Sequence, residues 1–132
     1  MPVDPDFVWK QFRETLAALA LPPDEQRSVT GPGCLACDLL NDFHYACDLF
    51  LSHCIDAVTA EQRTVIAEIN AILSEMTGAD LECFNDEVVT RPVWQSLRDT
   101  ANEALRVFGC EGQTVEPFVE IQPGVWQRPA PQ

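Results

Sequence analysis

TAEQRTVIAEINAILSEMTG, residues Thr59 to Gly78, is the stretch whose reading decides the fold class. Thr59 followed three residues on by Gln62 makes a capping box, in which two side chains satisfy orphan amides at a helix start. Val65, Ile66, Ile69, Ile72, Leu73 and Met76 then recur at the 3.6-residue step of one buried helical face. Gly78 is expected to end this helix.

Working outward, the connector ADLECFNDEVV leads to a second amphipathic run. There Thr90 is expected to cap a helix with Pro92 in its first turn. Trp94, Leu97, Ala101, Ala104, Leu105 and Phe108 form its inner side, and Gly109 its terminator. Near the amino end, Asp4 and Pro5 open a helix whose Val8, Phe12, Leu16 and Leu19 share a stripe, and LPPDEQ stops it. A fourth helix begins at Cys34. No βαβ alternation or hairpin signal competes, so the expected fold is an all-α, single-domain bundle of about four main helices joined by short helical turns. The bundle is expected over residues 1–110. Residues 111–132 hold four of the ten prolines and are expected to form an extended tail, with Phe118, Ile121 and Trp126 as anchors.

The 132 residues fit one domain with a real core, and disulfides are not required to hold it. Eight Lys plus Arg against 21 Asp plus Glu give a net charge of −13, which repels nucleic acid and anionic membrane surfaces. No basic residue lies between Arg27 and Arg63, so the acidity concentrates mid-chain. The start MPVDPDFVWK lacks a basic segment followed by an apolar run, and no stretch reaches 18 apolar residues. A cytoplasmic, reduced protein with free thiols is expected.

Four of the six cysteines and both histidines fall in CLACDLLNDFHYACDLFLSHC, Cys34 to Cys54. On a helical wheel Cys47 and Cys54 join Leu39, Phe43 and Phe50 inside, where thiols behave as small apolar groups. His53 falls on the solvent side. His44 falls at the core margin and is expected to be hydrogen-bonded there. No bound cofactor is expected. The alternative is a zinc or thiol site on Cys34, Cys37 and His44, opened by the C-x2-C step. It needs a further ligand, for which Cys83 and Cys110 are the spare thiols. A thioredoxin-like pair lacks its βαβ context.

The opposite side of this helix carries Asp38, Asp42, Tyr45, Leu49, Ser52 and Asp56, mixing carboxylates with an aromatic and a leucine expected to be exposed. Glu-x-x-His pairs for a di-iron centre do not occur, nor do Glu-x-x-Glu pairs for magnesium, a P-loop, G-x-S-x-G or H-E-x-x-H. An enzyme is therefore not expected.

From Thr59 to Gly109, through TAEQRTVIAEINAILSEMTG and RPVWQSLRDTANEALRVFG, the chain resembles small acidic all-helical bacterial proteins of the toxin-immunity type. The resemblance rests on helix caps and core residues. It implies a non-enzymatic protein that neutralises a basic toxin by direct binding. The Tyr-Tyr-Pro stretch of the colicin-type inhibitors is missing, so no binding residue carries over. Asp38, Asp42, Tyr45, Leu49 and Asp56 are the candidate contacts for such a protein partner, steered by charge. A homo-oligomeric structural protein is a further alternative.

Overall fold

The computed structural model describes residues 4–117, 119–123 and 125–127. Helix α1 (Pro5–Ala20) starts where Asp4 accepts the Asp6 amide at 2.9 Å, with Pro5 in the first turn. Two prolines stop it, and the second opens a single turn, α2 (Pro23–Gln26), which runs into a 3-10 turn at Arg27–Val29. Helix α3 (Leu35–Cys54) follows a glycine-proline-glycine bend and ends in a 3-10 turn at Ile55–Ala57. The capping box at Thr59 forms in both directions, with bonds of 2.9 and 3.1 Å, and starts α4 (Ala60–Glu75). Helix α5 (Pro92–Val107) ends before Gly109, whose φ of +71° is the left-handed conformation a helix terminator requires.

Two expected boundaries shift. Helix α4 ends at Glu75, three residues before Gly78, because Thr77 and Asp80 form the capping box of a new 3-10 turn at Gly78–Leu81. Thr90 does not cap α5. It closes a 3-10 turn at Asp86–Thr90, its hydroxyl donating to the Glu87 carbonyl at 2.7 Å, and Arg91 takes the cap position that Pro92 in the first turn dictates.

Helix α1 lies centrally, packed on α3 on one side and α5 on the other, and α5 in turn carries α4. Phe12 is fully buried at this junction, stacked on Phe50 at 4.3 Å between ring centroids and edge-on to Phe108 at 5.1 Å. Such pairs add about 0.5–1.5 kcal/mol each beyond the area they bury. The inward faces expected of all four long helices are the buried or half-buried faces observed, Cys47 among them, with Cys54 packed at the core edge. Between α3 and α4 a groove of about 400 Å3 remains, lined by Phe43, Cys47, Leu51 and Leu73 with His44 at its rim.

A polar group sits inside as well. Arg98 is 5 % exposed and donates to the Leu21 carbonyl at 2.6 Å, to the Val89 carbonyl at 3.1 Å and to Gln26 Oε1 at 3.0 Å. Gln26 passes the chain of bonds on to the carbonyls of Ala18 and Leu19. Burial pulls the guanidinium below its ordinary pKa, with Asp99 acting the other way, and the arginine stays charged.

After Cys110 the chain turns at Glu111 and Gly112, the Gln113 amide donating to the Cys110 carbonyl at 3.1 Å, and further on a short antiparallel hairpin pairs β1 (Val119–Gln122) with β2 (Val125–Gln127). That hairpin is an addition to the expected tail. Phe118 and the side chains of Ile121 and Trp126, the expected anchors, lie outside the described residues. Among the described residues no helix is long and apolar enough to cross a membrane.

Candidate metal centre

Three thiols meet where α3 begins. The sulfurs of Cys34, Cys37 and Cys83 all lie within 4.8 Å of one another, and those of Cys37 and Cys83 are 3.6 Å apart. Cys34 is the residue preceding α3, and the C-x2-C step places Cys37 one turn along the same side. Cys83 arrives from the connector after α4, 46 residues downstream of Cys37. Thiolates bound tetrahedrally to zinc at about 2.3 Å stand about 3.8 Å apart, so the trio needs only small side-chain adjustments to hold such an ion.

Two charged clamps deliver Cys83. Asp80, 7 % exposed, accepts from the Thr77 amide at 2.9 Å and hydroxyl at 3.0 Å and pairs with Arg91 at 2.6 Å. Its own carbonyl accepts from the Trp94 indole at 2.9 Å, which ties the connector to the buried start of α5. On the other side Arg27 reaches both strands of the site. It donates to the carbonyls of Gly31 and Gly33, just ahead of Cys34, at 2.9 Å each, and to the Asp86 carboxylate, just after Cys83, at 3.1 and 2.5 Å.

Between the clamps Phe84 takes a φ of +58°, a strained setting for a side chain of that size. The strain turns its amide onto the Cys34 sulfur at 3.4 Å, a donor of the kind that supports metal-bound thiolates. The ring itself is left 79 % exposed.

Cys34 and Cys37 are shifted in opposite directions. Burial acts to raise the Cys34 thiol, but bonds from Cys37, the Phe84 amide and Cys83 outweigh it and hold the pKa below its ordinary value. Cys37 is pushed up to about 12, first by its bond with Cys34, then by its bond with Cys83 and by burial.

His44 takes no part in this cluster. It stands seven residues past Cys37, about 10 Å along the helix axis, on the groove rim, with its Nε2 3.3 Å from the Asp48 carboxylate. The wheel put it at the core margin, but α4 does not close over this part of α3, and its side chain is 74 % exposed. The five expected partner contacts also separate. Asp42 and Tyr45 share a cleft of about 170 Å3 with Gln11, Glu14, Thr15 and Ala46, and Tyr45 is 63 % exposed. Leu49, expected to be exposed, is half-buried against the core. Asp38 is half-buried with its carboxylate folded over Gly33, and Asp56 is exposed on the turn beyond α3.

Cys83 is the member of the cluster that the C-x2-C spacing alone misses. The signal available in the sequence was chemical only, a spare thiol in a connector with no periodicity of its own. Comparison with protein-family models, with curated proteins and with solved structures finds no match to this chain.

Proposed function

We propose that this protein is a helical metal-binding domain that holds one soft divalent cation, of which zinc is the type, on Cys34, Cys37 and Cys83. The observation that carries the reading is the convergence of three sulfurs within 4.8 Å, drawn from two segments far apart in sequence. Core cysteines pack singly among apolar neighbours, as Cys47 does; these three instead face one another around a point that two charge clamps and an amide donor support. The ion would staple the loop before α3 to the connector before α5, adding binding free energy to the folded state. Metal analysis of reduced, zinc-supplied protein should give about one ion per chain, lost in Cys83→Ser and retained in His44→Ala. Absence of stoichiometric metal in the unaltered protein contradicts the proposal.

A second reading, a non-enzymatic binding domain for a basic protein such as a bacterial toxin, is supported by the net charge of −13 and by the exposed Tyr45 beside Asp42. It is compatible with a metal staple. Its mark would be an association rate with a basic partner that falls steeply with salt, and a rate indifferent to salt contradicts it.

A further inference from the structure

We propose that the cation on Cys34, Cys37 and Cys83 takes its fourth ligand from outside the chain, and that this ligand is a neutral nitrogen donor of the imidazole type. The inference rests on the metal-binding reading above. A tetrahedral ion needs four donors, and the placement of every other cysteine and histidine keeps it away from the trio. Cys47 lies about 15 Å along α3 from Cys37, and His53 and Cys54 about 25 Å. His44 sits on the groove rim beside Asp48. Cys110 follows the far end of α5, a helix about 24 Å long whose near end adjoins the connector.

Exposure gives the site a direction. Cys34 is buried, Cys37 is half-buried and Cys83 is exposed, so the side of the ion left uncovered faces solvent past Cys83. Phe84, 79 % exposed and next in sequence, offers an aromatic face there to a heteroaromatic ring. Charge selects the donor: a divalent ion on three thiolates carries −1, a fourth thiolate would make it −2 in a chain already at −13, and imidazole adds nothing. An external imidazole has two sources, a free small molecule or the exposed His44 or His53 of a second copy.

Cobalt in place of zinc reports its ligands through visible absorption. The reduced 132-residue chain, loaded with one cobalt per chain, should show thiolate bands that shift saturably as imidazole is added. If a second copy supplies the ring, the spectrum starts saturated, the cobalt protein is a dimer, and the His44→Ala/His53→Ala double variant becomes a monomer that responds to imidazole. Either pattern supports the inference. A spectrum that ignores imidazole in both proteins means that an internal donor such as Asp38 or Glu82 fills the position, and it overturns this inference alone. Failure to bind stoichiometric cobalt at all overturns the metal-centre reading along with it.

Discussion

The aromatic junction of α1, α3 and α5 and the thiol end of the molecule are held by opposite means. At the junction Val8, Phe12, Phe43, Phe50 and Phe108 exclude water, and their stability comes from area and close packing. At the thiol end the connector from Thr77 to Arg91 carries exposed Leu81 and Phe84, and buries mainly Asp80, Val88 and Val89. Its position depends on a few charged bonds from Arg27 and Arg91. Burial distributes its effect over many atoms, whereas a clamp concentrates it in one side chain. The lesson is that a thiol site can be built on a segment with little core of its own, provided that cations pin it on both sides.

That contrast can be broken most forcefully in the aromatic half. Phe12→Ala removes a fully buried ring with four aromatic neighbours, Trp9, Phe43, Phe50 and Phe108, and should cost about 3–5 kcal/mol in denaturant unfolding, with or without metal. A loss that depends on added zinc would mean that the two halves are not independent. Arg98→Met comes next. It deprives the Leu21 and Val89 carbonyls and Gln26 of their donor, at about 2–3 kcal/mol, because buried acceptors are left bare. An unchanged midpoint would show that the network is dispensable.

The clamp half should respond in metal affinity rather than in folding. Arg27→Ala is expected to weaken cation binding about 10- to 100-fold, the usual effect of losing an outer partner, while the unfolding midpoint without metal moves little. Equal affinity would remove Arg27 from the site. The gentlest lever is pH. The Thr77 amide, with Arg91 beside it, holds the Asp80 carboxyl below the usual carboxylate range. A group depressed in the folded state contributes stability that is complete above its unfolded pKa of about 3.9 and is lost as pH falls through the lower folded value. Asp80→Asn should therefore flatten that part of the acid limb of a stability profile below about pH 4. An unaltered limb would assign it to other carboxylates.

How legible each half was follows from the same contrast. The four long helices could be read from the sequence because their faces repeat at the helical step and their starts carry Asp4, Thr59 and Pro92. The connector has no such period, so the places of its two 3-10 turns were not marked, and Cys83 stood only beside Cys110 as a spare thiol with nothing to choose between them. Phe84 adopts a left-handed φ without the glycine that ordinarily signals one. The wheel treated α3 as evenly covered, and it erred where coverage is uneven: His44 is exposed because α4 leaves a groove beside it, and Leu49 is partly covered. Nothing in the sequence marks Arg98 and Gln26 as buried, since charge and amide alone do not reveal that each will find its partner inside.

The central claim is that three cysteines, one of them from the connector, converge on a cation. X-ray absorption at the zinc edge of the loaded, reduced protein tests it most directly. The account predicts a first shell of three sulfurs at about 2.3 Å with one lighter donor at about 2.0 Å. A shell of nitrogen and oxygen alone, or one that keeps three sulfurs in Cys83→Ser, would contradict it.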